Sequence, residues 1–489
     1  MKLSLRCSTS LAACLGLFVF GTVACGSDSS GGGSADGGSG GATSTGGGTS
    51  TGGATAAGGS TTGGGAPTGG RTSTTGGARS SGGTVSGTGG ASASGGASGG
   101  TSGGGTSSGG VTASGGTANG GTANGGASSG GASGSGGAAS LANPAPGSKF
   151  FVGANFWNID WEGQDDFFQS SVDFKSTTNP WKPELLSELS PYHVLRFMDW
   201  NQTNNSNNSQ AVWDTRKQKT AAQNEPVAFE WQIDLCNRTK KDYWLNVPHE
   251  ASADYFTKLA NLVHDELDPS LRVYLEWSNE VWNSGFPQNA YAAGRAQSLN
   301  LAGGTPSASY YVYASVRVYE AFEAVFGKNS PRLVKVLAGQ AAWTGPCDAH
   351  MLALEDSTIN PKGTLPTVYA IAPYFGGKTT TELSSALPTV NGWTTDSNKC
   401  AAGGNLPLIS YEGGSDSFSA PNCTAVQHDA GMHDLYVSYL GGISGAGLKG
   451  PFMQYTHTGA CWGLKEKTGD SLDVSPKYKG LLDWLAAHP

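Results

Sequence analysis

The sequence lacks several features that would direct it to common classes of protein. Only 13% of its 489 residues are charged, the net charge is a mild −8, and there is no basic run. We therefore expect no nucleic-acid partner, because binding to phosphates needs clustered Lys and Arg. No Gly-x-Gly-x-x-Gly follows the first predicted strand, which excludes a dinucleotide site. There is no Cys-x-x-Cys and no other metal-site spacing, and we expect neither a metal nor another cofactor.

The first 25 residues predict a secretory signal. A short apolar stretch follows Lys2 and Arg6, and it is too short and wrongly flanked for a transmembrane helix. Its end, Thr22-Val-Ala-Cys25, resembles a bacterial lipobox, in which the cysteine is acylated, although Thr22 replaces the usual leucine. An ordinary signal peptide cleaved nearby is the alternative. Either way we expect an extracytoplasmic protein, and lipidation of Cys25 would make it an outer-membrane or cell-surface lipoprotein.

Residues 26–140 are almost entirely Gly, Ser, Thr and Ala. Such a segment buries no apolar surface, so it cannot offset the entropy of ordering, and we predict a disordered tether with a reach of roughly 60 Å. All thirteen tryptophans lie beyond it, in residues 141–489. That length is ample for one large core, since a (β/α)₈ barrel commonly needs about 250 residues plus insertions.

Short apolar runs alternate with helical patterns in residues 141–489, which predicts βα units. Eight such runs are predicted strands: Phe150–Asn155, His193–Asp199, Asp242–Val247, Arg272–Trp277, Val334–Ala338, Thr367–Ala372, Leu406–Tyr411 and Pro451–Tyr455. The 3.6-residue spacing of apolar residues predicts helices at Ser252–Leu267, Ser309–Phe326, Ala425–Leu440 and, last, Leu481–Ala487. The fold class is therefore α/β, a single closed (β/α)₈ TIM barrel.

Five cysteines lie beyond the signal, and we expect one to be a free thiol and four to form disulfides. Cys236 lies in a predicted helix and is expected to be a buried thiol. The other four fall in predicted loops on one face of the barrel, and we expect them to form two disulfides in an oxidising compartment. Three pairings are possible among Cys347, Cys400, Cys423 and Cys461, and the sequence does not choose between them.

Two predicted strands end in a glutamate, one in Val273-Tyr-Leu-Glu-Trp-Ser-Asn-Glu280 and one in Leu408-Ile-Ser-Tyr-Glu412. The carboxyl ends of barrel strands form the rim where barrel enzymes carry out chemistry. Two facing carboxylates are what hydrolysis of a glycosidic bond needs, one as acid and one as nucleophile. We assign the acid/base to Glu280 and the nucleophile to Glu412.

Other polar and aromatic residues collect at the same predicted rim. Arg196 and Tyr374 are expected to keep Glu412 charged, and Asn279 to bond the 2-hydroxyl of a sugar. Trp462 is expected to stack beneath the sugar in the cleavage subsite. The remaining candidates for substrate contact or support are His249, His457, Trp157, Trp200 and Trp282.

This set resembles the clan A glycoside hydrolases, and most closely the cellulase-like family 5. The residues that match that family's ring of motifs are Arg196, His249, Asn279, Glu280, Tyr374, Glu412 and Trp462. The family has a histidine two residues before the tyrosine, where Ala372 stands here, so the clan is supported better than the family. The resemblance spans most of residues 148–489 and implies a barrel, retention of configuration and the two roles given to the glutamates.

Several alternatives stay open at this stage. Asp416 is a rival nucleophile and Glu250 a rival acid. Glu276 points inward in the strand, as Glu280 does, and we predict that it is a structural carboxylate paired with Arg196 or a hydroxyl. Pairing with Arg196 would compete with the interaction between Arg196 and the nucleophile Glu412. For His457, contact with the substrate and structural support of its loop are equally compatible with the sequence.

Each rim tryptophan is also compatible with a place in the core, Trp343 included. The polar loop Asn201–Gln210 predicts a solvated turn, and contact with sugar hydroxyls is the alternative.

The sequence thus predicts a secreted, lipid-anchored, monomeric retaining glycoside hydrolase that cleaves a β-linked polysaccharide or oligosaccharide. The aromatic rim favours endo cleavage. An exo-acting enzyme of the same clan, such as a β-glycosidase or α-arabinofuranosidase, is one alternative. A non-catalytic glycan-binding surface lipoprotein is the other. The sequence does not identify the sugar or the linkage.

Overall fold

Eight parallel strands form the centre of the protein. The computed structural model describes residues 140–157, 181–221 and 226–489. The predicted signal, Cys25 and nearly all of the predicted tether lie outside these residues. The barrel strands, numbered first to eighth in chain order, are Val152–Asn155, Val194–Arg196, Asp242–Val247, Val273–Trp277, Leu333–Ala338, Val368–Ile371, Leu408–Ser410 and Phe452–Gln454. Each coincides with one of the eight predicted strands.

The strands pair in sequence order, and the eighth pairs with the first, Val152 opposite Phe452. The seventh and eighth strands are joined by backbone hydrogen bonds, from Ser410 N to Pro451 O at 3.1 Å and from Lys449 N to Leu408 O at 2.8 Å. The sheet therefore closes on itself, which confirms the predicted (β/α)₈ barrel. A separate pair of two-residue strands, Phe375–Gly376 and Ser415–Asp416, lies in the loops after the sixth and seventh strands.

Helices connect the strands. Those described are Pro183–Glu188, Phe229–Thr239, Ala253–Glu266, Pro287–Ser298, Pro306–Phe326, Gly345–Glu355, Thr380–Gly403, Cys423–Gln427, Gly431–Gly445 and Pro476–Ala487. Short 3-10 turns occupy Ser209–Ala211 and Leu472–Val474. Four of these helices begin with a side-chain cap: Ser252 accepts from Tyr255 N, Thr305 from Ala308 N, Thr379 from Glu382 N and Asn422 from Ala425 N.

One helix prediction is wrong. The segment predicted as a single helix, Ala425–Leu440, is two helices, which are separated at His428–Ala430. Asp429 explains the break, since its side-chain Oδ1 accepts a hydrogen bond from Gly431 N at 2.8 Å. A short polar side chain that bonds nearby backbone competes with the helix ladder.

The barrel interior changes from apolar to polar towards the carboxyl ends of its strands. Every second residue of a strand points inward. The inner apolar layers include Phe151, Val194, Trp244, Tyr274 and Met453. Further along the first four strands the inward positions carry buried polar groups, and these are Asn155, Arg196, Asn246 and Glu276. The polar layer therefore lies directly beneath the rim.

Two disulfides lie outside the strands, and the expectation that all four cysteines fall in loops is wrong, because Cys347, Cys400 and Cys423 lie in helices. Cys347 is bonded to Cys400 and Cys423 to Cys461, which confirms the expected set and selects one of the three pairings. Cys236 is a buried free thiol within its helix, as predicted. None of the helices in the described residues has the length and apolar character needed to cross a bilayer.

Candidate active site

Arg196 organises the polar layer. Its side chain is fully buried at the end of the second strand. All five of its N–H protons are used: Nε and one Nη2 proton bind Glu276, the other Nη2 proton binds Asn279, and Nη1 binds Asn155 and Glu412. The guanidinium therefore holds two carboxylates and two amides in one fixed arrangement.

Glu276 is the inner carboxylate of this network. Its Oε2 accepts from Arg196 Nη2 at 2.9 Å, from Trp244 Nε1 at 2.8 Å and from Asn246 Nδ2 at 2.8 Å. Burial raises its pKa, and the neighbouring Arg196 opposes that change. The predicted pairing of Glu276 with Arg196 is confirmed. It does not compete with the nucleophile, because the two carboxylates use different guanidinium nitrogens.

Glu412 follows the seventh strand and is 5% exposed. Its Oε1 accepts from Arg196 at 2.7 Å and its Oε2 from the Tyr374 hydroxyl at 2.7 Å. Burial raises the pKa of Tyr374 well above its usual value, so the phenol keeps its proton for this bond. Both predicted partners of Glu412 are therefore in place, a guanidinium on one carboxylate oxygen and a hydroxyl donor on the other.

Glu280 lies just beyond the end of the fourth strand. The backbone there leaves the extended conformation, with positive φ at Ser278 (62°) and Glu280 (41°). Such values are costly for residues other than glycine and are found where the surrounding structure enforces them. The carboxyl of Glu280 accepts from the Tyr411 hydroxyl at 2.9 Å and from Asn283 Nδ2 at 3.1 Å.

The two candidate carboxyls differ in their electrostatic surroundings. Burial, reinforced by the negative charge of Glu412, raises the pKa of Glu280 to about 7. Glu412 instead has the guanidinium of Arg196 in direct contact. One carboxyl thus holds its proton near neutral pH while the other is paired with a cation, which is the asymmetry that a proton donor and a nucleophile require.

Asn279 is fixed from both sides. Its Oδ1 accepts from Arg196 Nη2 at 2.8 Å, and its Nδ2 donates to Asn204 Oδ1 at 3.1 Å. Gln288 completes the clamp, because its Nε2 donates to Asn204 Oδ1 at 2.7 Å and to the Asn279 carbonyl at 2.6 Å.

The prediction of a solvated turn at Asn201–Gln210 is therefore wrong. Asn204 supports the site, and four further residues of the segment are buried, namely Asn201, Thr203, Asn208 and Gln210. Tyr411 and Gln288 were also missed. The inward phase of Tyr411 in its strand was a usable signal, whereas the sequence gives no signal for Gln288.

An aromatic cluster adjoins Glu412. Trp462 is 8% exposed and packs edge-on against Tyr374, whose hydroxyl binds the carboxylate. Trp157 and Tyr455 pack on the same indole, with ring centroids 6.3 and 5.9 Å away. Phe418, 51% exposed, lies nearly parallel to it at 6.1 Å. The structure thus brings the predicted Trp157 and Trp462 together beside the candidate nucleophile.

The two histidines occupy different surroundings. His249, after the third strand, is buried and packs edge-on against Tyr291 at 5.2 Å. No hydrogen bond of the described residues joins it to either glutamate. His457 is fully buried, with Nδ1 3.1 Å from the Tyr192 hydroxyl and Nε2 3.2 Å from Glu188 Oε2. Because both ring nitrogens are engaged by protein groups, the structure favours loop support for His457 over substrate contact.

Two tryptophans that were predicted to contact substrate, Trp200 and Trp282, also differ in their burial. Trp200 is fully buried and stacks on Trp181 at 6.2 Å, so the core alternative applies to it. Trp282, which follows Glu280 by two residues in the sequence, is partly exposed and lines a cavity.

The rival carboxylates lie elsewhere in the loops. Asp416 is in a two-residue strand and accepts from Phe418 N at 3.2 Å. Glu250 is partly buried beside His249.

Comparison with known proteins gives structural likeness only. No family profile and no curated protein sequence matches the chain. In structure it is similar to a modular endo-β-1,4-mannanase of glycoside hydrolase family 26 from Cellulomonas fimi, at 11% identity and a TM-score of 0.41, over 70% of this chain and 71% of that one. It is also similar to an α-L-arabinofuranosidase from Thermotoga maritima, at 12% and 0.44, over 68% and 70%.

A family 1 β-glucosidase from Thermotoga maritima matches at 12% identity and a TM-score of 0.40, over 69% of this chain and 97% of that one. All three scores lie below 0.5. The barrel is therefore established by its own strand order and register.

Proposed function

We propose that the protein is a retaining glycoside hydrolase that cleaves a β-linked polysaccharide within the chain. The observation that carries this proposal is the asymmetric pair: Glu280, with a pKa of about 7, and Glu412, ion-paired with Arg196. Acid-assisted displacement at an anomeric carbon requires one carboxyl that can give a proton and a second that can attack as a nucleophile.

In the first step, the Glu412 carboxylate attacks the anomeric carbon while the glycosidic C–O bond breaks. Glu280 gives its proton to the departing oxygen, so the leaving sugar departs as a neutral alcohol and a glycosyl ester forms on Glu412. In the second step, water attacks the same carbon, passes its proton to the Glu280 carboxylate and releases Glu412. Two displacements retain the configuration of that carbon.

The surrounding residues have separate tasks in this mechanism. Arg196 and Tyr374 offset the charge of Glu412 in the free enzyme and receive it again on release. Asn279 has a second Nδ2 proton that no hydrogen bond among the described residues uses, and we assign it to the sugar 2-hydroxyl. Phe418 stacks on Trp462, which packs against the Tyr374 that binds Glu412, and the partly exposed Trp282 follows Glu280 by two residues. These aromatic rings support a cleft that accepts a chain on either side.

The test is hydrolysis of cellulose, xylan, mannan, β-glucan and galactan by the full chain. We expect activity on one or more of them, and a loss of at least about 10³-fold in kcat for Glu280→Gln and Glu412→Gln. Glu250→Gln is the matched control and should retain activity. Proton NMR of the first product formed should show the retained anomer, and early products should be oligosaccharides. If both variants keep full activity, the assignment is wrong; release of monosaccharide alone would indicate exo action.

We also propose that the enzyme works outside the cytoplasm, anchored through Cys25. The two disulfides support an oxidising compartment. The lipobox-like Thr22-Val-Ala-Cys25 supports the anchor. Metabolic labelling with a fatty-acid probe should modify the wild-type chain and not Cys25→Ser. Equal labelling of both would contradict the anchor while leaving the glycosidase assignment intact.

A further inference from the structure

A second aromatic groove lies beside the loop that follows the fifth strand. Its volume is about 520 Å³, within the size range of ligand sites. One wall is the loop that leads into the helix Gly345–Glu355, and the other is the helix Thr380–Gly403. The side chains that face it include Trp343, Asp348, Trp393, Asp396 and Lys399. The Cys347–Cys400 disulfide ties the two walls together.

Trp343 is the most exposed large apolar side chain of the described residues, at 64%. Exposing an indole to water is unfavourable, so a tryptophan held this way is a candidate binding group. The ring is also held in place from one side. A Cβ added to Gly345 would lie 2.1 Å from Trp343 Cζ2, which means that the indole rests directly on the Gly345 backbone. A side chain at position 345 would therefore displace the indole.

The groove shares Trp343 with a neighbouring cavity. Trp343 also lines a smaller cavity of about 170 Å³, whose other walls include Val281 and Trp282. These two residues directly follow Glu280 in the chain. Trp343 therefore lies between the groove and a cavity whose wall includes the two residues that follow the candidate proton donor.

We propose that this groove binds a further stretch of the substrate polysaccharide, and that this glycan is uncharged. The inference rests on the proposed function and adds a remote binding site and a class of substrate to it. A pyranose ring has an apolar C–H face and a polar edge, which match the two indoles and the charged rim respectively. Lys399 is paired with Asp396 at 2.9 Å, so the carboxylate of Asp348 gives the groove a negative balance that disfavours acidic sugars.

The test uses the full chain carrying Glu280→Gln, so that bound polysaccharide is not consumed. Affinity electrophoresis in xylan, mannan, β-glucan and polygalacturonate should show retardation by a neutral glycan. Trp343→Ala and Trp393→Ala should each weaken that retardation about three- to tenfold, the range expected for loss of one stacked ring. Gly345→Ala should weaken it as well, because the added methyl displaces the indole. Leu365→Ala, which removes another exposed apolar side chain (58%), is the control.

In the catalytically intact chain, Trp343→Ala should raise KM on the polymer and leave kcat on a short aryl glycoside within about twofold, since a short substrate does not reach the groove. Unchanged retardation in both tryptophan variants, with circular dichroism showing intact folding, would overturn the inference. So would stronger binding of polygalacturonate than of any neutral glycan. Failure of the proposed function is a different result, namely no hydrolysis of any polysaccharide by the wild-type chain.

Discussion

Arg196 donates from Nη1 to Oε1 of Glu412 across 2.7 Å, at the inner end of the candidate active site. The same guanidinium binds Glu276 through Nε and Nη2. One buried cation thus joins the carboxylate that we assign as nucleophile to a carboxylate inside the barrel. The position of the reacting group is thereby coupled to the packing of the strands beneath it.

Arg196→Lys should abolish activity and destabilise the fold. An ammonium has three protons and cannot replace the five N–H bonds of the guanidinium, so buried acceptors lose their donors. Disrupting a buried ion pair costs about 3–5 kcal/mol. Urea unfolding and hydrolysis assays measure the two effects. Arg216→Lys is the matched control, because Arg216 is also buried and pairs with Glu230 at 2.7 Å. The Arg216→Lys variant should lose stability while its kcat stays near the wild-type value. A wild-type kcat in Arg196→Lys would refute the role given to Arg196.

Tyr411→Phe should move the alkaline limb of the kcat/KM profile to higher pH. Burial and then the charge of Glu412 raise the pKa of Glu280 to about 7, and the hydrogen bond from Tyr411 partly opposes them. An acid must be protonated to act, so activity should fall above about pH 7 in the wild type. Removing the phenol removes a bond that favours the carboxylate, and the pKa rises further. Tyr274→Phe removes a buried hydroxyl lower in the barrel and should leave the limb unmoved. A shift to lower pH in Tyr411→Phe would contradict the assignment of Glu280.

Asn204→Ala should reduce kcat/KM by about tenfold through Asn279. The variant removes the acceptor that holds Asn279 Nδ2 and Gln288 Nε2. A merely structural role would lower activity on all substrates equally. If Asn204 positions Asn279, the loss of kcat/KM in the variant should disappear on a 2-deoxy substrate, because that substrate lacks the hydroxyl assigned to Asn279. Asn205→Ala, in the same loop but exposed, is the control. An equal defect on both substrates would refute the positioning role.

Lys477→Met should change how stability depends on pH. Lys477 is fully buried, and its Nζ donates to Ser415 Oγ and to the carbonyls of Cys461 and Trp462 at 3.3 to 3.4 Å. Burial lowers its pKa from 10.5 to about 7. Between these values the unfolded chain binds the additional proton, so this residue makes the wild type gain stability as pH rises.

The stability of Lys477→Met relative to wild type should therefore be highest below pH 7 and fall by on the order of 2–4 kcal/mol towards pH 10. Urea unfolding from pH 6 to 10 measures this difference. Lys479→Met, on the same helix and half exposed, should show no such trend. A pH-independent difference for Lys477→Met would mean that the ammonium is not destabilised by its surroundings.

Much of this arrangement was predictable from local sequence. The apolar runs give eight strands, and alternation within a strand places Arg196 and Glu276 inward, so their pairing follows. The partner of Glu280 was not predictable in the same way. Tyr411 is 131 residues away, and the contact depends on how the seventh strand faces the fourth across the barrel. Trp200 and His457 resemble rim residues in sequence, yet the structure buries both.

By itself, the sequence determined the strand number, the two glutamates at strand ends and the four cysteines that pair, because each is written in local spacing and residue type. The tertiary structure decided that Glu412 is paired with Arg196 while Glu280 is bonded to Tyr411, which cysteines are bonded, and that Asn204 supports Asn279. Those outcomes depend on burial and on distances of a few ångströms between residues far apart in the chain. Closure of the barrel alone brings such residues together, since it places the ends of all eight strands on one rim.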